Sequence, residues 1–147
     1  MENSNHFNVI VIGAGISGIG AGYYLKKNCP NKSFCIIEGR ENIGGTWDLF
    51  KYPGIRSDSD MFTLGYAFKP WKEQKTIANG PSILSYLEET VEENNLREKI
   101  KFSHKVLSAN WNSAERNWEV RAAHHEQEIL LTANFLFMGT GYYNYDE

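Results

Sequence analysis

Three glycines and an acid carry the first chemical signal in this chain. Gly13-x-Gly15-x-x-Gly18 follows the run Asn8-Val-Ile-Val-Ile12, and Glu38 stands 20 residues beyond Gly18. Three glycines in six residues recur by chance. A buried strand before them, a helix after them and an acid at the end of the next strand give this spacing its meaning. Gly13 permits a tight turn, Gly15 lets backbone approach a pyrophosphate, and Gly18 allows close contact between helix and sheet. The phosphates then rest on free N–H groups at the positive end of the helix. Glu38 is suited to accept hydrogen bonds from the 2′- and 3′-hydroxyls of a ribose, and its charge repels a 2′-phosphate. The site predicted is therefore one for FAD or NAD rather than NADP.

The flanking patterns supply the elements that hold these residues. Asn8–Ile12 has the β-branched character that a parallel strand covered on both faces requires. A helix is predicted from the glycines to about Cys29, with Lys26 and Lys27 near the negative end of its dipole and Pro30 beyond. Ser33–Ile37 is a second strand, which completes a β-α-β unit. Gly20 and Gly22 inside the helix each cost up to about 1 kcal/mol relative to alanine, a loss that close packing on the sheet would offset. From Gly39 to Gly80 regular patterning stops, and Phe62, Tyr66, Phe68 and Trp71 predict an ordered, packed loop region with short helical turns. Pro81 opens a helix to about Leu96, with Ile83, Leu84, Leu87 and Val91 as its apolar stripe and Glu88, Glu89, Glu92 and Glu93 on its solvated face. Ile100–Phe102 reads as a short strand. Lys105–Trp111, Asn117–Ala123 and Glu128–Thr132 read as a three-stranded antiparallel meander, and Phe135–Met138 as a separate last strand meeting Gly139-Thr-Gly141.

The segment after Glu38 decides between FAD and NAD. A Rossmann half for NAD continues with another strand soon after the acid; here the Gly44-Gly45-Thr46-Trp47 region is inserted. The flavin end of FAD needs such extra structure to house it. The fold class is accordingly α/β, a Rossmann-like FAD-binding domain with parallel sheet, crossover helix and antiparallel meander spanning residues 1–147.

Gly13–Gly18, Glu38, the stretch Gly44-Gly-Thr-Trp-Asp-Leu-Phe-Lys-Tyr-Pro-Gly-Ile-Arg-Ser-Asp-Ser-Asp60 and the terminal Gly139-Thr-Gly-Tyr-Tyr-Asn-Tyr-Asp-Glu147 resemble the amino-terminal FAD domain of flavin-dependent Baeyer–Villiger monooxygenases, most closely the ethionamide-activating type. The resemblance covers almost the whole chain. The glycine fingerprint is common to many flavoproteins; Gly44–Asp60 is much more specific. The resemblance implies the first half of a two-dinucleotide-binding flavoprotein. It implies that Gly13, Gly15, Ser17 and Gly18 form the pyrophosphate loop, that Glu38 is the ribose acceptor, and that Gly45, Thr46, Trp47, Asp48 and Leu49 pass beside the cofactor. It places the backbone of Val106 against adenine, and Arg56, Ser57 and Asp58 between flavin and nicotinamide, with Asp58 helping to place NADPH and to stabilise the oxygenated flavin. The activity implied reduces FAD with NADPH, captures O2 as a C4a-peroxyflavin, and inserts oxygen into a ketone or oxidises a thioether.

Two further family signatures, a second glycine-rich motif for NADPH and a histidine upstream of Trp-Pro, have no counterpart in these residues: none of the four tryptophans is followed by proline. The expectation is that a C-terminal half or a partner chain supplies the nicotinamide site and that the 147 residues alone do not turn over.

Composition bounds the remaining possibilities. With 147 residues, 41% of them hydrophobic, the chain matches one domain, which at this size buries roughly 70% of its unfolded surface without a metal or disulfide staple. Fifteen Lys and Arg against 18 Asp and Glu, with no basic run, argue against nucleic acid as a partner. The longest early apolar run, Val9–Ile12, is far too short for a membrane span, and the start lacks the basic residues of a secretory signal, so a cytoplasmic location is expected. Cys29 and Cys35 read as two buried thiols rather than a disulfide or a metal pair. Asp58 and Asp60 invite a calcium reading, but a loop begun at Asp58 needs Gly at 63 and Glu at 69, where Thr63 and Lys69 stand. No metal role is assigned to His124 and His125. The aromatic-rich flavin face and the tail Tyr142-Tyr143-Asn144-Tyr145 predict an exposed apolar patch of more than a few hundred Å2, shaped for a partner.

Overall fold

Residues 5–143 are described by a computed structural model; Asn144 and Tyr145 of the aromatic tail fall outside them. The apolar runs assemble one six-stranded sheet. Its strands are β1 (His6–Ile12), β2 (Phe34–Ile37), β3 (Ile100–Lys101), β4 (His104–Asn112), β5 (Asn117–His124) and β6 (Gln127–Met138), in the spatial order β3-β2-β1-β6-β5-β4. β3, β2, β1 and β6 run parallel. β6, β5 and β4 form the antiparallel meander. This is the Rossmann-like α/β arrangement that the sequence predicts.

One strand departs from the prediction. Glu128–Thr132 and Phe135–Met138, expected as two strands, are a single 12-residue strand, β6. Its first part pairs with β5 as far as Trp118↔Ala133, and its second with β1 from His6↔Thr132 to Ile12↔Met138. The intervening Thr132-Ala133-Asn134 contains no glycine or proline to end a strand. The polar break there marks a change of neighbour, not a change of element.

Alternation along β1 divides the core. Val9 and Val11 face the cluster built with Ile19, Ile36, Ile83 and Leu87, on the side of α1 (Ile16–Asn28) and α4 (Gly80–Glu93). Ile10 and Ile12 face the other side, with Cys35, Ile37, Val120, Leu131 and Ala133. Each fully buried isoleucine contributes about 1.5–3 kcal/mol of apolar burial, and the parallel strands draw on both faces, which explains their unbroken β-branched sequence.

The helices meet the sheet through small residues and borrowed caps. At Gly22 an added Cβ would stand 2.8 Å from Ile36 of β2, as sheet packing predicts, but at Gly20 it would stand 2.9 Å from the ring of Tyr66. The second close approach is therefore to the loop region. Lys26 serves a helix other than its own: its Nζ donates to the carbonyls of Asn94 and Asn95 at the end of α4. The start of α4 is capped by Asn79, whose Oδ1 accepts from Ser82 N–H at 2.8 Å, with Pro81 in its first turn. Its outward glutamates are paired, Glu88 and Glu92 with Arg97, Glu89 and Glu93 with Lys69.

Residues 39–79 contain two short helices, α2 (Thr46–Leu49) and α3 (Met61–Leu64), the latter capped by Asp60 through Thr63 N–H. The aromatics stack in a row from Tyr23 through Phe68 and Tyr66 to Tyr86. Among the described residues no helix is long and apolar enough to cross a membrane.

Candidate dinucleotide cleft

The C-terminal ends of β1, β2 and β6 open onto a cleft of about 650 Å3, the end of a parallel sheet where α/β folds bind ligands. Gly13 turns the chain out of β1 at φ +99°, and its N–H donates to the Ile37 carbonyl at 2.8 Å. A Cβ there would stand 2.6 Å from the carbonyl oxygen of Gly139, so the ends of β1 and β6 interlock. Gly15 is different. Its φ of −81° is open to any residue, and an added Cβ would make only ordinary contact with the Gly45 backbone, 3.6 Å from its Cα and 3.9 Å from its N. Neither the fold nor its own backbone demands glycine at 15; the free space beside it belongs to the cleft.

α1 starts without a side-chain cap and with no acid in its first turn. Its first N–H groups, at Ile16 and Ser17, which line the cleft, therefore have no carbonyl partner within the helix. A 13-residue helix ending in this way presents positive partial charge to the space beside Gly15.

Glu38 closes the far side. It is buried, at 7% exposure, yet carries an ionisable carboxyl. Its own backbone is fixed on both sides, the N–H donating to Lys101 and the carbonyl accepting from His104 N–H, both at 2.9 Å. This aims the side chain back at the glycine loop: Oε2 accepts from Ala14 N–H at 2.8 Å, and Oε1 from Arg40 N–H at 3.1 Å. A carboxylate has about four lone-pair directions, so two donors leave acceptor capacity for ribose hydroxyls.

Gly13, Gly15, Ser17, Glu38, Gly45, Thr46, Trp47 and Val106 line this one cleft. Six other candidates lie outside its lining. Gly18 supports it from beneath, where an added Cβ would fall 1.8 Å from the Gly13 carbonyl oxygen. Asp48 is turned away, its carboxylate 3.2 Å from Arg40 Nη1 and 3.7 Å from Lys51 Nζ, and Leu49 follows it on α2. Arg56 bridges to Asn79. Ser57 is buried and donates its hydroxyl to the Ser59 carbonyl at 2.6 Å, while Asp58 is exposed beside it.

Sequence reasoning missed Arg40 and His104, which also line the cleft; Gly139–Gly141, which carry part of the resemblance but were not assigned to the site, line it too. No local pattern marks Arg40 or His104: Arg40 lies in a bend beyond the end of β2, and His104 opens β4 with Lys105 and Val106 beside it on the same cleft. His104 stacks on His124 at 4.0 Å and its Nδ1 faces the Phe102 carbonyl; burial holds its pKa below the ordinary 6.5. Among the described residues no group of three His, Cys, Asp or Glu is arranged to hold a metal ion.

Comparison with known proteins places this geometry. Residues 11–73 match the NAD(P)-binding Rossmann-like domain family. The FAD-containing monooxygenase EthA of Mycolicibacterium smegmatis is 53% identical over 144 residues, which is 98% of this chain and 29% of the relative. The probable FAD-binding monooxygenase AlmA of Acinetobacter baylyi is 52% identical over 97% of this chain and 29% of its own length. Among solved structures, oxidised steroid monooxygenase bound to NADP superposes with a TM-score of 0.83 at 29% identity, over 92% of this chain and 26% of that one. The open form of cyclohexanone monooxygenase gives 0.83 at 29% identity, over 92% of this chain and 27% of that one. The chain thus spans less than a third of the length of these relatives. In sequence it matches the N-terminal part of the FAD-containing monooxygenases, and in fold that of the two-dinucleotide-binding flavoproteins, Baeyer–Villiger monooxygenases among them.

Proposed function

We propose that the chain is the FAD-binding portion of an NADPH- and O2-dependent flavin monooxygenase, acting on ketones by Baeyer–Villiger oxidation or on thioethers by S-oxygenation. The observation that carries this reading is the buried Glu38 carboxylate, 2.8 Å from Ala14 N–H, facing an uncapped helix start beside the open space at Gly15. That combination suits a ribose next to a pyrophosphate. The FAD-containing relatives support flavin as the group attached to it.

When bound, the flavin supplies the redox and oxygen-transfer chemistry. The residues of this chain bind, orient and shield it. The loop Gly13–Ser17 would hold the pyrophosphate, Glu38 would accept hydrogen bonds from the ribose hydroxyls, and the Val106 backbone would meet adenine. Gly45, Thr46 and Trp47 close one wall against water, with Asp48 and Leu49 behind them. Arg56, Ser57 and Asp58, outside the cleft lining, would face the nicotinamide in the complete enzyme, where Asp58 would orient NADPH. The nicotinamide site and the substrate pocket come from a C-terminal half or a partner chain, which also covers the exposed Phe135, Phe137 and Met138. The location we assign is the cytoplasm, where Cys29 and Cys35 remain free thiols; only Cys35 is buried as expected, Cys29 being half-buried after the end of α1.

Titration of the 147-residue chain with FAD, followed by flavin fluorescence, tests the cofactor reading; an NADPH-consumption assay with a ketone tests completeness. Binding without turnover is the expected result. No binding overturns the cofactor assignment, and NADPH consumption overturns the need for a further half.

A further inference from the structure

Arg40 joins the two walls of the cleft with a single side chain. Its Nε stands 3.7 Å from Glu38 Oε1, its Nη1 donates to Asp48 Oδ2 at 3.2 Å, and its Nη2 donates to the Gly45 carbonyl at 2.9 Å. Its main-chain N–H donates to Glu38 as well. The guanidinium therefore connects the acid at the end of β2 with both the first and the central part of the Gly45–Leu49 turn. Asp48 is itself buried, and its other oxygen faces Lys51, so the carboxylate is committed to this contact.

We propose that Arg40 is a positioning residue for the dinucleotide, fixing the separation between the ribose-binding Glu38 and the Gly45–Trp47 wall, which it holds through the Gly45 carbonyl and, behind the wall, Asp48. This rests on the FAD reading above. A guanidinium holds its five N–H groups in a rigid planar fork that aims at two acceptors in set directions, whereas a lysine ammonium on a flexible stem can reach two acceptors without fixing their separation. A ligand that spans both walls gains from a separation set in advance, because binding need not bring the walls to it. A ligand confined to the ribose and phosphate end gains less.

The test measures apo-protein melting and the affinities for FAD and for ADP in the full chain and in Arg40→Ala, Arg40→Lys, Asp48→Asn and the Arg40→Ala/Asp48→Asn double variant. Arg40→Ala and Arg40→Lys are each expected to weaken FAD by about tenfold or more, the loss of a charge-assisted hydrogen bond, and ADP by less than about threefold. The double variant is expected to lose no more FAD affinity than Arg40→Ala alone, because both changes break one connection. Equal losses for FAD and ADP, additive losses in the double variant, or unchanged FAD affinity each overturn the proposal. Should Arg40→Ala fail to fold, Arg40→Lys and Asp48→Asn carry the same comparison. An unaltered chain that binds ADP but not FAD overturns the FAD reading and this proposal together, whereas unaltered FAD binding matched by both Arg40 variants overturns the proposal alone.

Discussion

The Glu38 carboxylate crosses from the end of β2 to accept a hydrogen bond from the Ala14 backbone N–H at 2.8 Å, tying the acid to the glycine loop. Both groups are buried. Removing the carboxylate leaves a buried donor unpaired, whereas an amide of the same size still offers it one oxygen. Glu38→Ala is expected to cost about 1–3 kcal/mol of stability, and Glu38→Gln less. Both weaken FAD binding by about tenfold or more, since each removes an ionised acceptor for the ribose. Urea unfolding and flavin titration of the two variants check this; Glu38→Ala with unaltered affinity would remove Glu38 from the site.

Gly15 and Gly18 separate binding from folding. At Gly18 an added Cβ would fall 1.8 Å from the Gly13 carbonyl oxygen, and the contact is backbone on both sides. Gly18→Ala must displace the helix from the turn and is expected to cost at least about 3 kcal/mol. At Gly15 the same methyl has room and an ordinary φ. Gly15→Ala is expected to change stability by no more than about 1 kcal/mol while occupying the space the pyrophosphate needs, so FAD affinity falls while the unfolding curve moves far less than for Gly18→Ala. A Gly15→Ala protein as unstable as Gly18→Ala contradicts this division.

The parts of the fold that derive from one-dimensional pattern were legible. β1, α1 and β2 rest on a β-branched run, glycine spacing and a second apolar run, and those signals are local. β6 was not read correctly, because its continuity depends on two different neighbours, β5 and then β1, which no local pattern records. The same holds for Lys26, whose partners lie 68 and 69 residues away in sequence. In the cleft, the residues readable in advance were those whose type is unusual for their place, such as Gly15 in a helix start and Glu38 at a strand end. Arg40 and His104 are ordinary residues made relevant by what faces them, and only the packed loop shows that.

His104 should make stability depend on pH. Burial lowers its pKa, and the neighbouring His124 adds to this, while the hydrogen bond to the Phe102 carbonyl opposes it. The unfolded chain therefore takes up a proton near pH 6.5 that the folded chain accepts only at lower pH. The stabilisation is present above that value and is lost as the pH falls below it, through the folded-state pKa. Melting temperatures of the unaltered chain are expected to drop between pH 7.5 and 5.5 more than those of His104→Phe, which keeps a ring to stack on His124 but has no proton to gain. Equal slopes for the two proteins would show that His104 does not couple folding to pH.

The last residues of β6 present an apolar edge. β5 pairs with β6 only as far as Ala133, and beyond it Phe135 is 70% exposed and Met138 60%. Large exposed side chains on a strand without an outer neighbour favour edge-to-edge association. Phe135→Thr places a β-branched, strand-favouring residue at that position and removes the ring. The isolated chain with this substitution is expected to self-associate less, measured by light scattering across a concentration series, with its stability changed by no more than about 0.5 kcal/mol because little buried area is lost. A marked loss of stability instead would mean that Phe135 is packed within the chain itself, and the exposed edge could then not be the surface that the rest of a longer protein covers.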